Sequence, residues 1–323
     1  MTLPSRENLV ICFGHPAYQV KAAFDSLHTG VKTFEVKSFD EFEQRIGEAD
    51  VVVVSGFWKN HLLEKAPRLK FIQSISAGIN QYDLDVLKAG GVRLASAKGV
   101  NMNAVSDHAM SLVLAISRRL PEARDNQAKK FWRLMQSDHV FREDELAGKT
   151  LVVVGLGRIG NRLAKLAKAF DMHVIGVRRN NLSDKGHADE VHSFMELHKL
   201  LPRADFVVLN CPLTDETRNI IDEKALSQFK KTAYLINTAR GACVDEEALV
   251  KALQNKTIEG AALDCTVVEP LPESSPLWSM PNVLITPHTG GETRTYEANV
   301  ATILEANLNK IWAGQDDLVN EVL

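Results

Sequence analysis

The chain has few cysteines, no long apolar run and almost no excess of one charge. Its four cysteines, Cys12, Cys211, Cys243 and Cys265, lie far apart and form no C-x-x-C pair. That spacing argues against a disulfide framework or a cysteine-ligated zinc site and fits a reducing compartment. No metal site is expected. No apolar run approaches the roughly 20 residues that cross a bilayer. The first eight residues, Met1 to Asn8, are polar and lack the apolar core of a secretory signal. Lys and Arg total 38 against 41 Asp and Glu, a net charge of −3. That balance gives no electrostatic reason to expect nucleic acid or an anionic membrane as a partner. Low-complexity segments and long flexible linkers are also missing. Together these absences lead to the expectation of a soluble, cytoplasmic protein. What is present is ordinary: 45% apolar and 24% charged over 323 residues, long for one domain and comfortable for two.

In the first hundred residues short apolar runs recur at 9–13, 31–35, 51–54, 71–75 and 92–95. Runs about twenty residues apart with helix-length connections predict βαβ units on a parallel sheet. Chemistry on such a sheet belongs in the loops at the strand ends. In the loop at 55–59, Phe57 and Trp58 either wall a small pocket or pack as ordinary aromatics at a domain edge. In the loop at 74–80, the small residues Ser76, Ala77 and Gly78 either let backbone N–H groups hold a carboxylate or form a plain β-to-α turn. Residues 101–120 show helical spacing at Val105, Ala109, Leu112 and Ile116, and Pro121 is expected to close that helix. The charged segment 122–148 carries Phe131, Trp132 and Phe141. It either covers a neighbouring surface or second subunit, or staples onto its own domain.

The second half holds the most informative stretch, Leu151-Val-Val-Val-Gly155-Leu156-Gly157-Arg158-Ile159-Gly160. A four-residue apolar strand, a Gly-x-Gly-x-x-Gly turn and a helical pattern follow in the order that a dinucleotide fingerprint needs. Gly155 permits the tight turn, Gly157 admits a pyrophosphate close to the backbone, and Gly160 lets the helix sit on the strand. The helix N-terminus offers free N–H groups and partial positive charge to phosphates. Further strands are expected at 173–177, 206–209, 233–236, 260–263 and 283–285. Six strands with the fingerprint on the first describe a complete doubly wound dinucleotide domain. The last helix, 292–313, lies beyond the sixth strand, with Tyr296, Val300, Ile303, Leu308 and Ile311 on one face.

After the fingerprint helix, the second strand ends in Val177-Arg178-Arg179. An NAD-selective domain usually places an Asp or Glu near this point for the ribose hydroxyls. Two arginines suit the extra 2′-phosphate of NADP instead, or are simply solvated. The expected cofactor is NADP(H), with NAD(H) as a weaker substitute.

Three later strand ends carry polar groups that fit hydride chemistry: Asn237 to Gly241, Asp264 to Pro270 and Thr286 to Gly291. Carbonyl reduction needs a proton donor, and histidine is the usual one near neutral pH. A paired carboxylate favours its protonated form, and an arginine grips a substrate carboxylate. The chain has ten histidines, and spacing alone does not select among them.

With Ser76-Ala-Gly78, Val105-Ser-Asp-His-Ala109, the glycine fingerprint, Cys211-Pro-Leu-Thr-Asp-Glu-Thr217, Asn-Thr-Ala-Arg-Gly, the 264–270 segment and Thr-Pro-His in this order, the chain resembles the D-isomer-specific 2-hydroxyacid dehydrogenase family. The resemblance covers nearly its whole length. Within that family it is most similar to the NADPH-dependent glyoxylate/hydroxypyruvate reductases. The resemblance implies an α/β protein of two doubly wound parallel-sheet domains. A flavodoxin-like substrate domain is formed by 1–100 plus 292–323, and a Rossmann dinucleotide domain by 101–291. It implies that Arg240 binds and polarises a 2-oxo acid, that His288 is the acid/base, and that Glu269 pairs with it. Ser76, Ala77 and Gly78, with Trp58, Arg240 and His288, are the expected substrate contacts. The expected cofactor contacts are Val105, Gly155, Leu156, Gly157, Arg158, Ile159, Gly160, Arg178, Arg179, Cys211, Pro212, Thr217, Thr238, Ala239, Arg240, Asp264, His288 and Gly290.

The resemblance further implies a homodimer built through the nucleotide domains, and an end at Leu323 that leaves no room for the C-terminal regulatory domain of many phosphoglycerate dehydrogenases. The expected reaction is hydride transfer from NADPH to glyoxylate or hydroxypyruvate, giving a D-2-hydroxy acid, in a site between the two domains. Two other functions fit the same motifs: a broad NAD(P)-dependent D-lactate or phenylpyruvate dehydrogenase, and a non-enzymatic dinucleotide-sensing interaction protein.

Overall fold

The computed structural model describes residues 2–180 and 184–323. The chain divides into two compact units, Met1–Asn101 with Thr293–Leu323, and Met102–Glu292. In the first, strands β1 (Val10–Gly14), β2 (Lys32–Val36), β3 (Val51–Val54), β4 (Phe71–Ser74) and β5 (Arg93–Ala95) alternate with helices α1 (Val20–Asp25), α2 (Phe39–Arg45) and α3 (Leu84–Ala89). All pairings are parallel, in the order β2-β1-β3-β4-β5, the flavodoxin-like arrangement. Successive strand residues face opposite sides, so each strand feeds two cores. Ile11, Phe13, Val51 and Val53 face one, with Val20 and Phe24 of α1. Cys12, Val52 and Val54 face the other, with Phe42 of α2 and Leu87 of α3. Burial on both faces explains why Val51–Val54 is an unbroken apolar run rather than an alternating one.

The second unit opens with α4 (Met102–Ser117) and α5 (Leu120–Ala128). It continues through β6 (Thr150–Val154), α6 (Arg158–Lys168), β7 (His173–Val177), β8 (Glu190–His192), α7 (Leu197–Leu200), β9 (Phe206–Leu209), α8 (Glu223–Leu226), β10 (Tyr234–Asn237), α9 (Glu246–Gln254), β11 (Gly260–Leu263) and β12 (Val283–Ile285). The seven strands are parallel and ordered β12-β11-β10-β9-β6-β7-β8. Strand order reverses at β6, which lies between β7 and β9. In open α/β sheets ligands bind beyond the strand ends at such a reversal. The last helix, α10 (Tyr296–Trp312), belongs to the first unit and packs in the same core as α1.

Several expectations are corrected. Six strands were expected in the second unit, and seven are found among the described residues. The missed one, β8, has a single apolar residue, Val191, and sits at the sheet edge where polar side chains are tolerated. Strand starts at 9 and 233 move one residue on, because Leu9 and Ala233 are buried without belonging to the ladder. Pro121 does not close a helix. The α4 helix ends at Ser117, Arg119 adopts a left-handed φ of 50°, and Pro121 lies in the first turn of α5, where its missing N–H leaves nothing unpaired.

The last helix starts at Tyr296 rather than 292, and its inward face adds Leu304 and Asn307, both buried, to the half-buried Ile303. Asn307 turns inward because its amide donates to Gln73 Oε1 at 3.1 Å while its Oδ1 accepts the Val319 N–H at 2.7 Å. Apolar periodicity cannot report such a polar contact. The segment after α5 is tied to its own unit by Leu146, buried in the core, and by Arg119 donating to the Val140 carbonyl at 3.1 Å, but its large apolar side chains do not pack inward. Trp132 and Met135 are 88% and 100% exposed, and Phe131, Leu134, Val140 and Phe141 are exposed with them.

Candidate active site

The fingerprint is built as its glycines require. Gly155 follows β6 with φ +104°, a conformation that disfavours side chains, and a Cβ there would come within 2.5 Å of the Cys211 N atom. A Cβ on Gly160 would collide with the Gly155 carbonyl oxygen. Both glycines are therefore demanded by packing. Gly157 is different: it is exposed, and a Cβ there would meet nothing within 4 Å. The open space at Gly157 lies at the N-cap of α6, whose first-turn N–H groups have no intrahelical partner. This is a fitting cradle for a pyrophosphate.

At the end of β7, Arg178 is partly buried, and its Nη1 lies 3.2 Å from the Asp184 carbonyl oxygen and 3.5 Å from its carboxylate. Arg179 is exposed, 3.5 Å from Glu216. Across the strand reversal, Thr217 hydrogen-bonds the Pro212 carbonyl at 2.6 Å and accepts the Thr214 N–H at 2.8 Å, which closes the 211–217 loop on itself. The side chains of Val105, Leu156, Cys211, Thr217 and Ala239 are buried. The Thr217 hydroxyl is engaged within its own loop, and the side chains of Val105, Leu156 and Ala239 are apolar. The Cys211 thiol is hydrogen-bonded to Cys243, and that bond together with burial pushes its pKa up.

The later strand ends meet at one edge of the sheet. After β10, the buried Asn237 donates to the Arg240 carbonyl at 3.0 Å and accepts the Ala239 N–H at 3.0 Å. The turn is thereby fixed with Arg240 exposed. The Thr238 hydroxyl faces the Leu209 carbonyl and Asn210 Oδ1 at 3.2 and 3.1 Å. A Cβ on Gly241 would collide with the Thr266 carbonyl, so the Arg240 turn lies directly on the loop after β11. In that loop Glu269 Oε1 accepts the Thr266 N–H at 3.1 Å, and Oε2 lies 2.7 Å from His288 Nδ1. The structure thus brings His288 and Glu269 together, with the Arg240 turn packed against the same loop.

Asp264 is nearly fully buried. Burial alone raises a carboxyl pKa, but hydrogen bonds from His108, Thr286 and the Gly290 N–H outweigh it and hold Asp264 below the usual range. Asn237 and His108 were absent from the sequence-based site. Both lie in segments that carry the resemblance, but their contacts are with other protein groups, which the motifs alone do not report.

In the first unit, Ser76 Oγ bonds the Gly78 carbonyl at 2.8 Å and meets Ser55 Oγ at 2.8 Å. Ala77 and Gly78 are exposed, and among the described residues their N–H groups have no acceptor. Trp58 is corrected. Instead of walling a pocket it is 1% exposed in the apolar core, tilted against Tyr82 at 5.9 Å, with its indole N–H donating to Asn60. Among the described residues no group of His, Cys, Asp and Glu could hold a metal ion, and no helix is long and apolar enough to cross a membrane.

Residues 110–290 match the model of the D-isomer specific 2-hydroxyacid dehydrogenase, NAD binding domain. Over 275 residues the chain is 37% identical to the glyoxylate/hydroxypyruvate reductase B of Serratia proteamaculans, covering 83% of each protein. Over 285 residues it is 35% identical to the D-3-phosphoglycerate dehydrogenase of Methanocaldococcus jannaschii. That match covers 87% of this chain but only 53% of its relative, about half the latter's length. A solved structure from Thermus thermophilus superposes with a TM-score of 0.81 at 32% identity, covering 98% of this chain and all of the other.

Proposed function

Because the chain belongs to the D-isomer-specific 2-hydroxyacid dehydrogenase family, we propose that it is an NADPH-dependent reductase that converts glyoxylate to glycolate or hydroxypyruvate to D-glycerate. Membership makes it a D-2-hydroxyacid dehydrogenase that uses a nicotinamide dinucleotide. The chemistry in this reading rests above all on the 2.7 Å pair of His288 Nδ1 and Glu269 Oε2 beside the Arg240 turn, and the choice of substrate on the likeness to the glyoxylate/hydroxypyruvate reductase B relative. The open face of Gly157, the first turn of α6, the 211–217 loop and Thr238 would hold the cofactor, which supplies the hydride for C2 of the substrate.

The protein's own residues account for the rest. A carboxylate only accepts, so Glu269 keeps the proton of His288 on Nδ1. In the doubly protonated ring, Nε2–H is then the donor to the developing alkoxide. After donation the ring is left as the neutral Nδ1–H tautomer, still bonded to Glu269. Arg240 grips the 2-oxo acid with its planar fork and polarises the carbonyl. The family resemblance assigns the substrate carboxylate to the N–H groups of Ala77 and Gly78, which have no acceptor among the described residues. NADPH preference is supported by Arg178 and Arg179 standing where an NAD-selective chain carries an acid.

The test is loss of NADPH absorbance with glyoxylate or hydroxypyruvate, repeated with NADH, and oxidation of D-3-phosphoglycerate in the reverse direction. Rapid loss with NADPH and slow loss with NADH supports the reading. Equal rates remove the cofactor assignment, and no loss with any small 2-oxo acid removes the substrate assignment.

The working unit in this proposal is a homodimer. Six large apolar residues between 131 and 141 face solvent on the second unit, a pattern that marks an interaction surface. Sedimentation of the wild type and of a Trp132→Glu, Met135→Glu variant tests this. A monomeric wild type would remove the dimer.

A further inference from the structure

We infer that His108 is a positioning residue for His288, acting through Thr286 and Asp264 on the loop that carries it. The inference rests on the dehydrogenase reading above, in which His288 moves the proton. The motif Val105-Ser-Asp-His-Ala109 contributes to the family resemblance, but nothing in that resemblance gives the histidine a task.

His108 projects from α4, with Nε2 3.0 Å from Thr286 Oγ1 and 3.2 Å from Asp264 Oδ1. Counting protons fixes the direction of these contacts. The Thr286 hydroxyl has one proton, and its oxygen lies 2.6 Å from Asp264 Oδ1. An ionised carboxylate can only accept, so that proton points at Asp264. A lone pair of Thr286 therefore faces His108, and both neighbours of Nε2 are acceptors. His108 must carry a proton on Nε2, whatever the state of Nδ1.

Asp264 is the hub. Oδ1 also accepts the Thr289 N–H at 3.1 Å, and Oδ2 accepts the Gly290 N–H at 3.0 Å. Its donors flank His288 on both sides: Thr286 before it, Thr289 and Gly290 after it. His288 itself has φ +55°, a left-handed conformation that is unfavourable for a non-glycine residue. Such a conformation persists only where its surroundings over-determine it. Gly290 shows how closely His108 is fitted to this loop. A Cβ there would lie 2.7 Å from Asp264 Oδ2 and 2.9 Å from His108 Cδ2. The imidazole is thus both a donor to the hub and a wall against the loop. Losing its N–H frees Thr286 and Asp264 to turn, and the orientation of His288 towards Glu269 loosens with them.

Two measurements test this, and only the second depends on turnover. In nitrogen-15 histidine NMR of the full chain, His108 should appear protonated at Nε2; a neutral Nδ1–H tautomer would overturn the proposal. In kinetics, His108→Leu keeps volume and removes the donor, whereas His108→Gln restores an N–H at similar reach. The leucine variant should lose kcat roughly tenfold or more, with the substrate KM and the cofactor Kd changed less than about threefold, because the defect lies in proton transfer. The glutamine variant should recover most of that loss. Unchanged kcat in the leucine variant overturns the role, and so does equal loss in both variants, which would mark simple packing. If the leucine variant does not fold, the wild-type tautomer decides. If the wild type turns over no 2-oxo acid, the functional reading fails, and the NMR result still decides the contact.

Discussion

Cofactor choice gives the sharpest prediction. The perturbation is Arg178→Asp. In the structure Arg178 is already engaged, at 3.2 Å from the Asp184 carbonyl oxygen and 3.5 Å from its largely exposed carboxylate. A 2′-phosphate must exchange with that contact rather than find an idle guanidinium. A hydrogen bond to a charged group contributes about 1.5–3 kcal/mol, and an exposed ion pair of the Asp184 kind about 0–1 kcal/mol. The expected net preference is therefore about 0.5–3 kcal/mol, or roughly two- to 150-fold. The assay is the ratio of kcat/KM for NADPH to that for NADH, which cancels effects on the chemistry common to both cofactors.

The wild-type ratio should exceed about twofold by that estimate. Arg178→Asp should lower it by at least tenfold, since an aspartate both deletes the contact and repels the phosphate. Asp184→Asn should raise it, because the competing carboxylate is gone. Arg179→Asp should act weakly, because Arg179 is exposed and, among the described residues, meets Glu216 at 3.5 Å. An Arg178→Asp ratio equal to the wild-type one would refute the phosphate contact, and an unchanged ratio in Asp184→Asn would refute the competition.

Three further outcomes are expected. His288→Ala should lower kcat by roughly 10²–10⁴ while the Kd for NADPH, read by fluorescence, stays nearly unchanged; a parallel loss of binding would contradict a role confined to proton transfer. Gly160→Ala should lower stability by about 1–3 kcal/mol and weaken the cofactor, because its Cβ would meet the Gly155 carbonyl; melting and titration curves superposing on wild type would show that helix and turn can part freely. The third concerns pH. Bonds from Arg203 and His192, opposed by burial and helped by His173, hold Glu190 well below the usual carboxylate range. A depressed pKa contributes stability that is present above the unfolded value and fades as pH falls below it. Glu190→Gln should therefore melt below wild type at pH 7, and the gap should narrow below about pH 4.5; a gap of constant size would show that the carboxylate charge is not involved.

Periodicity and the glycine turn were enough to read two parallel α/β sheets and the dinucleotide fingerprint, because both are local. A buried strand needs a run such as Val51–Val54 whatever surrounds it, and the turn after β6 needs glycine at 155 and 160 for its own geometry. The three-residue β8 escaped because an edge strand need not be apolar. Trp58 was misplaced for the converse reason: an aromatic in a loop after a strand suits a pocket wall or a core equally, and only packing against Tyr82 and the bond to Asn60 put it in the core.

The residue types that do chemistry were visible, but His288 could not be separated from nine other histidines by spacing. The choice came from the resemblance. Only the folded chain decides which groups meet. Glu269 and His288 are nineteen positions apart and are joined at 2.7 Å. His108 reaches Thr286 across 178 positions. Asn237 closes the Arg240 turn from within the core. Local sequence dictates what a segment can form, because backbone geometry and burial act over a few residues. Which carboxylate faces which imidazole, and which donor locks it there, depends on where separate strand ends converge, and that is a property of the tertiary structure.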